Sequence, residues 1–314
     1  MRGLFATGIG ILFFTMLFGC ASTSPPLQEG KLKVVASFYP IYEFAREVGG
    51  ERTEVSLLMP PEAEPHSFEP KPSDVKKIAD ADLLVINGAG LEDRWIGKIL
   101  GEAVEGGRKK PKIVDASTGI DLIKFGKAHE DEEEDHWHAE YDPHVWLSPS
   151  LAQKQVENIK KAFIEADPQG KEQYEQNAEK YKEKLAELDG KFRQAFRSCK
   201  KKEILITHAT LGYFCMEYGC KQIPIEGITH EGEPSPSMLA EIIESAKESN
   251  ASAVYFEKMI DPKSAKAIAS EIGAKTLVFN SVHGLSADEK RRGENYLSLM
   301  EGNLINIKIG LECG

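Results

Sequence analysis

Short apolar runs alternate with helically spaced apolar positions in the first part of the chain. The runs predict buried strands at Lys33–Ser37, Glu54–Met59 and Asp82–Asn87. Helical spacing predicts one helix at Ile41–Val48 and a second, capped by Ser73, that continues through Ala79. This β-α-β-α order predicts a largely parallel sheet with helices on both faces.

The pattern changes after Pro168. Apolar side chains recur there at steps of three and four residues, at Tyr174, Ala178, Tyr181, Leu185, Leu188, Phe192 and Phe196. This spacing predicts one amphipathic helix of about seven or eight turns.

Strands and helices alternate again after residue 200. Strands are predicted at Glu203–Thr207, Gln222–Glu226, Ala253–Glu257 and Thr276–Phe279. Helices are predicted at Leu211–Tyr218, from Ser235 to Ser249 and from about Pro262 onward. We therefore predict an α/β protein with two Rossmann-like lobes, each a mainly parallel sheet flanked by helices. The lobes cover residues 31–150 and 200–314, and the region 151–199 joins them through one long rigid helix.

The N-terminus has the layout of an exported protein. A basic start is followed by the short apolar stretch Ile9–Phe18, which predicts a signal peptide over residues 1–19. The sequence Leu17-Phe18-Gly19-Cys20 resembles the lipobox of bacterial lipoproteins, in which cleavage leaves the cysteine as the lipidated first residue. We therefore expect an extracytoplasmic protein anchored to a bacterial membrane through Cys20 and a flexible tether over residues 20–30. An ordinary signal peptide or a short N-terminal anchor would give the same compartment.

The charge balance narrows the range of partners. The chain has a formal net charge of -11 at pH 7, which disfavours nucleic acid and suits a cationic ligand. About 295 residues remain after the signal peptide, enough for two lobes, and none of the later segments is apolar enough to cross a membrane. We expect a monomer.

Three histidines that are distant in sequence stand in similar settings. Proline precedes His66 and His144, and His208 follows the apolar run Ile204–Ile206, so each imidazole is expected on a loop at the end of a strand. Any one of them alone is more typical of a structural residue. Ligands of α/β sheets bind at the carboxyl ends of the strands and in clefts between lobes, where these three residues would meet. Three imidazoles with an open fourth position are typical of a zinc site.

An acidic, histidine-rich loop separates two of these histidines. Residues 127–141 include a run of aspartate and glutamate together with His129, His136 and His138. Such a run is commonly a solvated loop with no further role. The interleaved histidines favour weak, exchangeable capture of metal.

Four cysteines follow Cys20, namely Cys199, Cys215, Cys220 and Cys313. An exported protein can form two disulfides from them, in three alternative pairings. We favour Cys199–Cys220, because both residues precede apolar runs that would be adjacent parallel strands.

Several separated motifs carry a family resemblance. They are Ser37-Phe38-Tyr39-Pro40, Pro65-His66 with Pro72-Ser73-Asp74, Asp142-Pro143-His144-Val145-Trp146-Leu147, Thr207-His208 with Gly212-Tyr213-Phe214, Glu233-Pro234-Ser235-Pro236 and Val254-Tyr255-Phe256-Glu257. The chain resembles the zinc/manganese solute-binding lipoproteins of ABC transporters over nearly its whole mature length. The resemblance implies a two-lobed protein that holds a divalent metal ion in its cleft and delivers it to a membrane permease.

The resemblance breaks down at one position. Members of that family commonly supply an aspartate as fourth ligand after the last strand, where this chain has Asn280. A neutral amide is a poorer metal ligand, so Asn280 stays only a possible fourth ligand or supporting residue. The fourth position is expected to be taken by water, by His283 or by a glutamate such as Glu257. Nitrogen-rich coordination favours Zn²⁺ over Mn²⁺, although Mn²⁺ stays an alternative.

Two other functions are compatible with the same residues. A zinc hydrolase could use Glu69 or Glu257 as a general base, but the chain contains no HExxH motif. A surface adhesin could hold a structural metal and would also suit a lipid anchor. We therefore expect a transport protein that is not an enzyme.

Overall fold

A computed structural model describes residues 30–61, 63–105, 110–124, 140–225, 236–258 and 263–314. The predicted signal peptide, Cys20, the tether up to residue 29 and His129, His136 and His138 lie outside these ranges. Within the described residues no helix combines the length and the apolar character needed to cross a bilayer.

The first lobe is built on a four-stranded parallel sheet in the order β2-β1-β3-β4. Its elements are β1 (Leu32–Ala36), α1 (Tyr39–Gly49), β2 (Thr53–Leu57), α2 (Pro72–Ala79), β3 (Leu83–Ile86), α3 (Asp93–Glu105) and β4 (Lys112–Asp115). The central strand β3 is buried at every position, as expected for a strand covered on both faces.

Two helices connect the lobes, α4 (Pro149–Ala166) and α5 (Lys171–Ser198). The buried residues of α5 include all seven apolar positions that predicted it. With 28 residues it is about 42 Å long. It packs against α1 of the first lobe and against two helices of the second, α6 (Gly212–Tyr218) and α10 (Tyr296–Gly310), so both lobes contact one continuous element.

The second lobe repeats the arrangement with the strand order β6-β5-β7-β8, again all parallel. Its elements are β5 (Glu203–Ile206), α6 (Gly212–Tyr218), β6 (Lys221–Pro224), α7 (Pro236–Glu248), β7 (Ala253–Glu257), α8 (Lys263–Ile272), β8 (Lys275–Phe279), α9 (Ala287–Arg292) and α10 (Tyr296–Gly310). The prediction of two parallel α/β lobes with a long helix between them is confirmed.

One large hydrophobic core runs through both lobes and α5. It joins side chains as distant in sequence as Phe44, Phe192 and Tyr296. Burial of apolar surface shared between the lobes disfavours wide separation, because opening would expose that surface to water.

The disulfide differs from the expected one. Cys199 at the end of α5 is bonded to Cys313, and Cys215 and Cys220 are free thiols. The strands β5 and β6 are indeed parallel neighbours, with Glu203 opposite Lys221. Cys199 nevertheless lies four residues before β5, whereas Cys220 directly precedes β6, and the chain after α10 returns beside residue 199. The predicted Cys199–Cys220 pairing is therefore wrong.

Candidate metal centre

The three histidines lie on loops at the carboxyl ends of strands. His66 sits in a single 3-10 turn, Pro65–Ser67, in the connection that follows β2. His144 directly precedes a second such turn, Val145–Leu147, and His208 lies two residues beyond β5. Pro65 suits the first position of its turn, and the Glu64 side chain accepts a hydrogen bond from the His66 N–H group at 3.1 Å. All three imidazoles are buried, with 7%, 1% and 2% of their surface exposed.

The potential ligand atoms of His66, His144 and His208 lie within 4.8 Å of one another. The Nε2 atoms of His66 and His144 are 3.3 Å apart. Two imidazole nitrogens on one tetrahedral zinc, each at about 2.0–2.1 Å from the metal, would lie about 3.3 Å apart. The arrangement fits a single zinc ion held between the rings.

Asp142 orients the imidazole of His144. Its Oδ1 atom lies 2.8 Å from Nδ1 of His144 and also accepts the backbone N–H of His144 at 2.9 Å. Both side chains are almost fully buried. A carboxylate on Nδ1 fixes the tautomer and leaves Nε2 as the metal-binding nitrogen, which is a common arrangement around protein-bound metals.

Glu257 plays the same part for His208. Its Oε1 atom lies 3.1 Å from Nδ1 of His208, and both side chains are buried. The contact follows from sheet register, because Ile206 pairs with Tyr255 on the neighbouring parallel strand and two further residues bring His208 opposite Glu257. Asp142 and Glu257 bring two carboxyl groups beside the histidines, which would balance the charge of one divalent cation when both are ionised.

The histidines enclose a very small cavity. It is lined by Glu64, Pro65, His66, His144, Trp146, His208, Thr210, Glu257, Ser281 and His283. Its volume is about 10 Å³, which is room for one small ion or one water molecule and not for an organic substrate. A larger groove of about 760 Å³ lies between α1 and the start of α10, but none of the three histidines lines it.

The candidates for a fourth ligand occupy different places. His283 lines the cavity, and its Nδ1 atom lies 2.6 Å from the hydroxyl of Ser281. Asn280 is turned into its own loop, because its carboxamide oxygen accepts the Val282 N–H at 2.8 Å and its amide donates to Glu289 at 3.3 Å. Asn280 therefore does not contribute to the cavity wall.

Two contacts between the lobes lie close to the loops that carry the histidines. The indole N–H of Trp146, two residues after His144, donates to the carbonyl of Ser281 in the other lobe at 2.7 Å. Gly284 lies so close to Pro61 that an added Cβ would come within 1.9 Å of the Pro61 carbonyl oxygen. A side chain at residue 284 would push away the loop that leads to His66.

The buried side chain of Glu92 helps to fix the loop that carries His144. Glu92 accepts the backbone N–H groups of Asn87 and Gly88 at 2.8 and 3.1 Å, and the Asn87 amide donates to the carbonyl of Pro143 at 2.9 Å. Burial raises the pKa of Glu92 to about 7. The loop that carries His144 is thus fixed through Pro143 by residues at the end of β3.

The sequence predicts the three histidines as ligands and Glu257 as a possible fourth ligand or general base, but not its contact with His208. It predicts no role for Asp142 or Trp146. The signal for Asp142 was present, since an aspartate two residues before a histidine can hydrogen-bond to its backbone and ring. Trp146 gave no comparable signal, because its partner Ser281 lies 135 residues away.

Comparison with known proteins places this architecture in a family. Residues 34–310 match the family model described as the periplasmic component A of a zinc-uptake complex. The protein named high-affinity zinc uptake system protein ZnuA of Bacillus subtilis is 43% identical over 312 residues, which cover 95% of this chain and 94% of that protein.

Two solved structures show the same fold. The metal-dependent lipoprotein YcdH of Bacillus subtilis has a TM-score of 0.76 and 42% identity, over 90% of this chain and 99% of that one. The Zn(II)-bound AdcA of Streptococcus pneumoniae has a TM-score of 0.77 and 37% identity, over 90% of this chain and 58% of that longer one. The chain therefore belongs to the family of periplasmic zinc-uptake components described by the matching model.

Proposed function

We propose that this protein is the extracytoplasmic solute-binding component of an ABC transporter for zinc. It binds one Zn²⁺ ion through His66, His144 and His208 and presents the ion to a membrane permease. The observation that carries the proposal is the convergence of the three buried imidazoles on a cavity of about 10 Å³ between two lobes. Family membership and the Zn(II)-bound relative support the same conclusion.

The donor set favours zinc over manganese. Three neutral imidazoles suit Zn²⁺, whereas Mn²⁺ prefers carboxylate and water oxygens. Asp142 and Glu257 contribute their charge through the histidines, since each contacts an Nδ1 atom. We propose His283 or a water molecule as the fourth ligand, because His283 lines the cavity and water fits its volume.

A hydrolytic role is disfavoured by the dimensions of the cavity and by the use of Glu257. An ester or phosphate substrate needs more space than about 10 Å³. A general base must reach the attacking water, but the Glu257 carboxylate is engaged by His208 at 3.1 Å. We therefore assign the metal to the cargo of the protein and no reaction to its site.

The segments outside the described residues complete the proposal. Lipidation of Cys20 would hold the protein at the membrane, and residues 20–30 would let it reach the permease as a monomer. His129, His136 and His138 would collect zinc weakly and raise its local concentration near the cleft. Deletion of residues 129–138 should then remove weak binding and leave one tight site.

Zinc titration of ligand variants tests the proposal. The wild-type protein should bind one zinc ion tightly, and His208→Ala should weaken that binding at least about 100-fold, more than the loss of a residue that only supports a ligand. His230→Ala, which changes a histidine that the sequence does not assign to the site, serves as the matched control. Far-UV circular dichroism of the metal-free variants checks that the fold persists. Wild-type zinc affinity in His208→Ala would overturn the ligand assignment.

A further inference from the structure

We propose that Tyr213 is a positioning residue through which the second lobe holds the metal-binding loop of the first. Its hydroxyl fixes the backbone of Asp142, and Asp142 in turn orients His144. This inference rests on the proposed zinc site, because the consequence of the contact is the affinity of that site.

The hydroxyl of Tyr213 bridges two segments of the first lobe. It donates to the carbonyl oxygen of Asp142 at 2.7 Å and accepts the backbone N–H of Ile123 at 3.1 Å. The same two residues are also joined directly, since the Asp142 N–H donates to the Ile123 carbonyl at 2.9 Å. Residues 123 and 142 lie on either side of the acidic histidine-rich segment in sequence, so Tyr213 joins the two described stretches of chain that flank it.

These hydrogen bonds act on Asp142, two residues before the proposed metal ligand His144. The carbonyl oxygen of Asp142 accepts the hydrogen bond from the Tyr213 hydroxyl. The Asp142 carboxylate lies 2.8 Å from Nδ1 of His144 and accepts the His144 backbone N–H at 2.9 Å. A change of position of the Asp142 backbone therefore moves the carboxylate and the imidazole with it. Distances from a metal ion to its ligands are expected to lie within about 0.2 Å of their usual values, so small movements of a ligand matter.

Gly212, directly before Tyr213, allows the same close contact with Asp142. An added Cβ at Gly212 would lie 2.4 Å from the second carboxylate oxygen of Asp142. The glycine lets the start of α6 approach Asp142 closely enough for the Tyr213 hydroxyl to reach its carbonyl. Two neighbouring residues of the second lobe thus define the position of Asp142.

The phenol keeps its proton at physiological pH. Burial and the negative charge of Asp142 raise the pKa of Tyr213 to about 12. The hydroxyl can then donate to the Asp142 carbonyl and accept from Ile123 throughout the range in which zinc is bound.

The test compares Tyr213→Phe with Tyr218→Phe. Tyr218 lies on the same helix and is equally buried, but its hydroxyl contacts Asp189 of α5 at 2.9 Å, away from the metal site. Each variant loses one hydroxyl, and we expect similar shifts of a few degrees in the melting temperature of the metal-free proteins. Only Tyr213→Phe should weaken zinc binding, by about 10- to 100-fold. Equal zinc affinity of Tyr213→Phe and Tyr218→Phe would overturn the inference.

A double variant establishes the route of the effect. Asp142→Ala removes the side chain that contacts His144, so if Tyr213 acts through Asp142, the variant that combines Tyr213→Phe with Asp142→Ala should bind zinc no more weakly than Asp142→Ala alone. If the two fold-changes multiply, Tyr213 does not act through Asp142 and the inference fails. A wild-type protein without tight zinc binding would instead refute the proposed function, so the two failures are distinguishable.

Discussion

The Nδ1 atom of His208 lies 3.1 Å from the Oε1 atom of Glu257, and both side chains are almost completely buried. Glu257→Gln keeps the shape of this pair but removes its negative charge, so His208 becomes a weaker donor to the metal. We expect zinc affinity to fall about 10- to 100-fold, as measured by competition with a chelator.

Glu203→Gln provides the control for that prediction. Glu203 begins the strand β5 that leads to His208 but is partly exposed at the opposite end of the strand. Its replacement should leave zinc affinity unchanged. The orienting role of Glu257 is wrong if the two variants bind zinc equally.

Asn280→Asp should change stability and not metal preference. The new carboxylate would take the place of an amide that donates to Glu289 at 3.3 Å, so two like charges would face each other. We expect a loss of about 1–3 kcal/mol in the free energy of unfolding. The ratio of zinc to manganese affinity should stay that of the wild-type protein. A clear gain of manganese affinity relative to zinc would show that residue 280 reaches the metal.

Glu92 predicts a pH dependence of stability. Its pKa is raised by burial from 4.5 in the unfolded chain to about 7 in the folded protein. The folded state therefore binds more protons between these values, and the contribution of Glu92 to stability is lost as pH rises from about 4.5 through 7. Urea unfolding of the metal-free protein should reveal a decline of up to about 3 kcal/mol that Glu92→Gln abolishes. The quantity to compare is the change in the free energy of unfolding with pH, and not its value at one pH. Glutamine also removes an acceptor for the Gly88 N–H, and this loss lowers stability at every pH.

Glu289 should show the opposite dependence of stability on pH and therefore serves as a comparison. Burial alone would raise its pKa, but hydrogen bonds from Lys258 and Ser286 hold the pKa below its usual value. Its contribution is present at neutral pH and is lost on acidification through the lowered pKa. Glu289→Gln should therefore flatten the acid side of the profile and leave the decline toward pH 7 in place. Identical profiles for the Glu92 and Glu289 variants would contradict this reading.

The disulfide assignment predicts a specific peptide map. Proteolysis without reduction, after alkylation of the unfolded protein, should yield a linked peptide that contains Cys199 and Cys313. Cys215 and Cys220 should both carry the alkyl group. Cys313→Ser should lower the free energy of unfolding by about 2–5 kcal/mol. Recovery of a Cys199–Cys220 peptide would contradict the structure.

Much of the fold could be predicted because its elements have strong periodicity. The seven apolar positions of α5 are all buried, and the four strands predicted in the second lobe form its sheet. The helix α10 was not predicted, because the apolar residues before and after Gly302 are spread over several faces of the helix. They therefore give no clear amphipathic pattern. The cysteine pairing depends on where α10 ends in space, which local sequence does not encode.

The site was predictable only in its ligands. Pro-His and strand-end settings identified His66, His144 and His208, which the structure brings together. The contact of His208 with Glu257 depends on the register between β5 and β7. The rotation of Asn280 away from the cavity depends on hydrogen bonds with Val282 and Glu289, which sequence position alone cannot specify.

The assignment of a three-histidine zinc site can be tested by an anomalous-scattering crystal structure of protein purified without added metal. Data collected on both sides of the zinc absorption edge identify the ion and its ligands together. The three-histidine assignment predicts a zinc peak in the cleft, at about 2.0–2.1 Å from a ring nitrogen of each of His66, His144 and His208. Zinc bound tightly elsewhere with an empty cleft, or a cleft metal that misses one of these three histidines, would contradict it.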